Sequence, residues 1–311
     1  MRCRGRRHFI KVAAGTPLLA SVKTHAAPST HPLPDESMQK LGFSNYPFSD
    51  GAYEHIVYVK GTGPDVIVMH ELPGFDTYTV GFIDRLSGKG FRVHAPHLYG
   101  PMLWEASFPN FVRLCISREF GRLKANESAP VCDWLRALAR SISDDNANAR
   151  IGVIGMCLTG AFVIPMVIEP SVRAGIISQP AIPLSMRYWL FGSGAGEWMQ
   201  QVNVSDEDFH AATQRCARDK VPVIVQRFKC DRISFHGRVK RIAQAFGENA
   251  TLHEYPDSRP MENDRDFPHA LLTREYDLAE YNDANEAENS TRVAFARVVA
   301  FLKQNLSPQS V

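Results

Sequence analysis

The stretch from Arg150 to Val163, RIGVIGMCLTGAFV, decides the fold. Arg150 to Gly155 reads as a buried strand rich in β-branched residues, and Leu158 to Ile168 reads as a helix, so one passes into the other across Met156 and Cys157. That is the layout of a nucleophile elbow, in which a sharp turn tolerates only small residues two places either side of the nucleophile. Cys157 would then project above the carboxyl ends of the strands, close to the first helical N–H groups. Such a helix start favours a thiolate and offers a backbone donor to an oxyanion. The plain alternative for a cysteine here is burial in the core.

Working outward from this stretch, short apolar runs alternate with helical patterns. The candidate strands are His55 to Val59, Asp65 to His70, Phe91 to His94, Ala174 to Ser178, Val221 to Arg227 and Thr251 to Tyr255. Helices are expected over Thr79 to Lys89, around Phe111 to Leu123, and over Pro130 to Ile142, Gly237 to Phe246 and Val293 to Leu306, the last with Ala294, Val298, Phe301 and Leu302 on one stripe. This alternation predicts an α/β fold with a mostly parallel central sheet flanked by helices. One domain over residues 35–311 accommodates the 311-residue chain, whose 44% apolar content is enough for a large core. Residues 180–220 hold Trp189, Phe191, Trp198 and Met199 but no strand pattern, and read as an insertion or lid.

Charge is unevenly distributed. Residues 1–34 carry six Lys or Arg and no acid, so the formal charge of +2 belongs to the leader and the remainder is net acidic. Nucleic-acid binding is therefore not expected. The leader pairs Arg6-Arg7 with a short apolar run from Val12 to Val22 and then Thr24 to Pro28, which resembles a twin-arginine export signal cleaved after Ala26. It predicts a periplasmic or exported protein, with a cytoplasmic one as the alternative. The run is about half of the ~20 residues that a membrane span needs, so no stable membrane anchor is expected. Six cysteines without a CxxC pair indicate neither a metal site nor a disulfide framework. The oligomeric state is not legible.

A thiol nucleophile needs a base and a residue to orient it, and an α/β-hydrolase places these after later strands in the order nucleophile, acid, histidine. Asp231 stands at the carboxyl end of the Val221 run, and His269 follows the Thr251 run and its Pro- and Asp-rich loop. His236 lies too close after Asp231 to compete, and His253 sits inside a strand. The early strand ending in His70-Glu71-Leu72-Pro73-Gly74 is the loop that supplies a second oxyanion donor, making the backbones of Leu72 and Leu158 the candidates and bringing Glu71 close to the thiol. His70-Glu71 is not a zinc motif, because Gly74 stands where a second histidine would be needed. His94 and His97 flank Pro96 at a strand end and read as structural, without an acidic partner nearby.

With these residues assembled, residues 50–305 resemble the dienelactone hydrolase family of the α/β-hydrolase superfamily. The carriers are the segment from His70 to Gly74, the run from Ala95 to Gly100, the G-x-C-x-x-G elbow, the strand ending in Asp231, and the run from His269 to Thr273. The resemblance implies a carboxylic ester hydrolase of the carboxymethylenebutenolidase type, cleaving an enol-lactone or related small ester with a Cys157–His269–Asp231 triad. It implies no metal and no organic cofactor. It further implies that Glu71 holds the resting thiol and helps ionise it when substrate binds. Two departures stand out: Thr159 occupies a position where the family has glycine, with Gly160 following, and no arginine falls at an obvious place to clamp a substrate carboxylate, leaving Arg118, Arg232 and Arg274 as candidates beside Arg113. A non-catalytic protein holding an apolar ligand under the Trp189 and Trp198 segment is the rival from another class. A redox thiol protein, with Cys230 as resolving partner, is the third reading.

Overall fold

The computed structural model describes residues 34–72, 74–100, 102–103, 128–146, 149–181, 199–256, 267–280 and 289–307. The leader, the helix expected around Phe111 to Leu123, and Trp189, Phe191 and Trp198 of the expected lid lie outside the described residues. Eight strands form one sheet: β1 (Ser44–Ser49), β2 (Glu54–Lys60), β3 (Asp65–Met69), β4 (Arg92–Pro96), β5 (Ile151–Met156), β6 (Val172–Ser178), β7 (Val223–Phe228) and β8 (Ala250–Tyr255). Their order across the sheet is β1-β2-β4-β3-β5-β6-β7-β8. From β4 to β8 every pairing is parallel, while β1 and β2 are antiparallel. An α/β fold with a mostly parallel sheet is thus what the chain adopts.

The strand missed by the sequence is β1. Its residues SNYPFS alternate only between exposed and half-buried, and Pro47 breaks the pattern of a central strand. Proline lacks a ladder donor and is tolerated at an edge, where β1 lies. The central strands are legible for the opposite reason: all residues of β3, β5 and β7 are buried.

Successive residues of these strands face two different layers. Ile67, Met69, Ile151 and Val153 join a core containing Trp134, Leu135, Leu138 and Ile142 of α3 (Val131–Asp145) and Val239, Ile242 and Phe246 of a later helix, His236–Phe246. Val66, Val68, Ile154 and Met156 join the core on the other face, built by Phe82, Ile83 and Leu86 of α2 (Thr77–Ser87) and by the C-terminal helix. α1 (Pro34–Lys40) places Met38 in that second core. Helices are α4 (Val163–Met166), α5 (Asp206–Asp219), α6 (His236–Phe246), α7 (Arg274–Glu280) and α8 (Ser290–Leu306) in chain order after α3. α5 falls inside the 180–220 segment and packs Ala212 and Cys216 into the first core, so this part of the segment is core scaffold.

α8 starts where the Asn289 side chain accepts from the Thr291 and Arg292 N–H groups, and it buries Ala294, Val298, Leu302 and Leu306 against the sheet. Phe301, expected on that stripe, is only partly buried at its edge. No helix among the described residues is long and apolar enough to cross a membrane.

Candidate active site

β5 ends at Met156, and Cys157 follows with φ of 55°. A side chain other than glycine in this left-handed region is strained, and such strain persists where the surroundings over-determine it. The elbow here continues as a tight 3-10 turn, Cys157–Phe162, before α4, in place of the single helix expected from Leu158 to Ile168. Gly155 is required: a Cβ there would sit 2.2 Å from the Thr159 carbonyl oxygen. Gly160 is close-packed as well, with the Pro180 Cα 3.0 Å from where its Cβ would be.

Thr159 explains how the departure from glycine is accommodated. Its buried hydroxyl accepts from the Met156 N–H at 3.0 Å and faces the carbonyls of Met156 at 2.9 Å, Met69 at 3.0 Å and His70 at 3.2 Å. A threonine therefore ties the elbow to the end of β3, the neighbouring strand that carries the Glu71 loop.

The candidate acid stands beyond β7. The Asp231 side chain is fully buried, and its Oδ1 accepts from the Ile233 and Ser234 N–H groups, both at 2.9 Å. Arg227 fixes the loop from below, donating to the carbonyls of Asp231 at 3.0 Å and Lys229 at 3.2 Å while paired with Glu254. The other carboxylate oxygen of Asp231 meets His269 Nδ1 at 2.7 Å. Nδ1 must therefore carry a proton, and Nε2 is a buried atom with no close hydrogen-bond partner among the described residues, its nearest candidate acceptor being the Cys157 sulfur. One nitrogen of this ring, the Cys157 sulfur and a Glu71 carboxylate oxygen lie within 4.8 Å of one another. Burial opposes charge on His269, but Asp231 and Cys157 outweigh it and hold the imidazole pKa well above its usual value.

Glu71 is buried, and its pKa is pushed up to about 7 by desolvation, against the pull of His269 and of hydrogen bonds from Thr273 and Gln179. The Thr273 hydroxyl donates to one oxygen, and Gln179 Nε2 to the other at 3.4 Å. Gln179, with φ of 33°, in turn connects through Ser178 to Gln226 inside the sheet. This polar chain has no motif in the sequence; a glutamine inside apolar β7 and another just past the end of β6 are its only trace.

The neighbouring His70 is neutral. Its Nε2 accepts from the Leu98 N–H at 3.1 Å, leaving Nδ1 to donate to the Glu71 carbonyl at 3.2 Å, and burial drives its pKa to about 3. Tyr99 caps the same turn by donating to the His70 carbonyl at 3.1 Å. A second overlooked residue is Arg238, buried in α6 and donating to the carbonyls of Gln201, Pro180 and Ile233. Its signal was present: the spacing Arg238, Ile242, Phe246 places a cation on the buried stripe of the helix.

The other predicted positions are placed as follows. Leu158 is buried immediately after Cys157, and Leu72 follows Glu71 in the β3 loop. Arg118 and Arg113 lie outside the described residues. Arg232 and Arg274 are exposed, on the loop after Asp231 and at the start of α7, with their residues turned toward solvent rather than buried like Glu71 and Cys157. His236 is exposed and meets Glu254 at 3.0 Å, and His253 lies beside Arg297. One expectation needs correcting: His94 has an acidic partner, because Asp65, 29 residues earlier, reaches its Nε2 at 2.8 Å from the start of β3. Cys230 is disulfide-bonded, so it is no free resolving thiol; Cys132, Cys157 and Cys216 are the free cysteines among the described residues. The trio of Glu71, Cys157 and His269 has the donor types that can hold a soft divalent cation, though the same atoms are positioned for proton transfer.

The dienelactone hydrolase family model matches residues 55–306. The chain belongs to the dienelactone hydrolase family. That membership supports a carboxylic ester hydrolase acting on a small molecule. Solved structures with the same fold include one from Klebsiella pneumoniae bearing a dienelactone hydrolase name, 17% identical, covering 84% of this chain and 98% of its own, with a TM-score of 0.55. A Pyrococcus furiosus esterase is 14% identical over 86% of this chain and 94% of its own, with a TM-score of 0.52. A zinc-bound, cold-adapted esterase from an Arctic intertidal metagenomic library is 14% identical over 85% and 93%, with a TM-score of 0.51. No curated protein matches the chain by sequence.

Proposed function

We propose that this family member hydrolyses a small carboxylic ester or lactone through a covalent acyl-enzyme, with Cys157 as nucleophile, His269 as proton carrier and Asp231 as its orienter. The observation that carries the reading is the strained Cys157 beside a ring whose far nitrogen is held by a buried Asp231 at 2.7 Å. A protonated His269 gives a thiolate its counter-charge at neutral pH.

In the first half-reaction the Cys157 sulfur bonds to the carbonyl carbon, and the oxyanion receives hydrogen bonds from the Leu158 and Leu72 N–H groups. The carbon–oxygen bond then breaks, and the leaving alkoxide or enolate takes the proton from His269. In the second half-reaction the neutral ring accepts a proton from water, whose oxygen attacks the thioester. The carbon–sulfur bond breaks, the acid leaves, and the Cys157 thiolate is regenerated beside a His269 that keeps the proton taken from water. Thioester hydrolysis is productive when the leaving group does not return, which favours activated lactones and enol esters. Glu71, with its pKa near neutrality beside the sulfur, is the second group able to exchange the thiol proton.

The test is a lactone and aryl-ester panel with intact-mass detection of the acyl-enzyme. Wild-type enzyme should show an adduct on Cys157 during turnover. Cys157→Ala that retains turnover, or an adduct on another residue, would remove the reading.

A further inference from the structure

Far from Cys157, at the other end of β5, a second polar feature has no role in this chemistry. A cavity of about 320 Å³ is lined by Ala149, Arg150, Pro170, Ser171 and Arg173. Arg150 immediately precedes β5, and Arg173 is the second residue of β6. Six residues of extended strand separate this cavity from the elbow, about 20 Å at the usual rise per residue.

Three observations characterise this open depression. It gathers two guanidinium groups, and no carboxylate pairs with either among the described residues, whereas nearby Arg140 is paired with Glu169 and Arg215 with Asp219. Beneath its surface, Arg150 Nε and Ser171 Oγ are out of reach of solvent and have no hydrogen-bond partner among the described residues, so the guanidinium Nη groups are left as the donors that face a ligand. Finally, its wall is rigid. Arg215 donates to the carbonyls of Val167 and Val172 at 2.7 Å and of Pro170 at 3.0 Å, and the Ser171 carbonyl accepts from the Ile151 N–H at 2.9 Å. The like charges push against each other: burial and then Arg173 lower the pKa of Arg150.

We propose that this cavity binds a phosphate-type dianion carried by a phosphorylated small molecule, with Arg150 and Arg173 clamping its oxygens. Planar guanidinium forks match tetrahedral oxyanions, and a dianion cancels the repulsion between the two arginines. The volume exceeds that of a bare phosphate, leaving room for a small organic body against Ala149 and Pro170.

The experiment uses the whole protein in calorimetric titration and thermal unfolding. Inorganic phosphate, glycerol 3-phosphate and potassium chloride are compared at matched ionic strength. Saturable stabilisation by both phosphates but not chloride is expected, with glycerol 3-phosphate binding more tightly. Arg173→Ala should weaken binding by about tenfold or more, while ester hydrolysis is unchanged. Without ligand, Arg173→Ala should be at least as stable as wild type, because a repulsion has been removed. Equal shifts with chloride, unaltered phosphate binding in Arg173→Ala, or tighter binding of bare phosphate than of its ester would overturn the proposal.

Discussion

Asp231 meets His269 at 2.7 Å at the carboxyl rim of the sheet, and Asp65 meets His94 at 2.8 Å where β3 begins. The two pairs differ in what else touches them. Asp65 gives both oxygens to Arg92, at 2.5 and 3.0 Å, and its second oxygen also lies 3.4 Å from Asn146. Its charge is neutralised by a guanidinium before His94 is counted. The far nitrogen of His94 faces the Tyr46 hydroxyl at 3.4 Å. Asp231, in contrast, accepts from two neutral backbone N–H groups, and its charge raises the pKa of His269 and supports that of the buried Arg238. The far side of that ring faces a sulfur on a strained turn. An Asp–His pair is thus chemically useful here according to whether its carboxylate is already neutralised and what the other ring nitrogen meets.

The largest expected effect separates the two pairs directly. Cys157→Ala should lower kcat for the best ester by about 10³-fold or more, since it removes the proposed nucleophile rather than a supporting contact. His94→Gln should leave kcat within a few-fold while lowering Tm. Comparable kinetic losses in both variants would erase the distinction.

Replacing the two acids gives the next contrast. Asp231→Asn keeps an acceptor for the Ile233 and Ser234 N–H groups but presents an amide donor to His269, which forces the wrong tautomer. A loss of about 10²–10⁴-fold in kcat/KM is expected, by analogy with the orienting acid of hydrolytic triads. Asp65→Asn should act the other way, costing about 1–3 kcal/mol of stability, because it leaves a half-buried Arg92 without its counter-ion, and little rate. Steady-state kinetics and urea unfolding on the same preparations read both quantities.

These contrasts also show what was legible in the sequence. The parallel centre of the sheet, the elbow and the order Cys157, Asp231, His269 could be read because buried strands of β-branched residues have one outcome, and the residues beyond them must emerge at the same rim. β1 was invisible because an edge strand with Pro47 lacks that burial signature. The 3-10 form of the elbow depends on the Thr159 hydroxyl finding carbonyls on β3, a contact across 90 residues that no local pattern encodes. The same holds for Asp65 and His94, joined only by the parallel pairing of β3 with β4. Gln179 and Thr273 were missed as partners of Glu71 because amides and hydroxyls carry no distinguishing sequence signal until a buried carboxylate needs them.

Thr159 supplies a smaller effect on the same axis. Thr159→Ala removes the acceptor of the Met156 N–H and the link to β3, with an expected cost of about 1–2 kcal/mol. Thr159→Ser keeps the hydroxyl and should recover most of the activity lost in Thr159→Ala. If serine and alanine behave alike, the methyl packing of threonine holds the elbow, and its hydrogen bonds do not.

The most subtle difference between the two ends of the sheet concerns protons. Glu71 at the rim has its pKa raised from 4.5 to about 7, chiefly by burial. Asp65 at the other end has its pKa lowered below 3.8: desolvation pushes upward, but His94 and Arg92 prevail. The signs of the resulting stability changes are opposite. The contribution of Glu71 is complete below pH 4.5 and is lost as pH rises through 7, because the unfolded chain ionises first and the folded one must then hold a desolvated carboxylate. The contribution of Asp65 is complete above its unfolded value and is lost as pH falls through its lower folded value. Urea unfolding across pH 3–8 should therefore show Glu71→Gln gaining on wild type between pH 4.5 and 7, by on the order of 2 kcal/mol at the upper end. Asp65→Asn should differ most from wild type above pH 4 and converge with it in acid. A Glu71→Gln curve parallel to wild type throughout would show that His269 and Thr273 already offset the burial of Glu71, making the rim carboxylate as ordinary an anion as its counterpart.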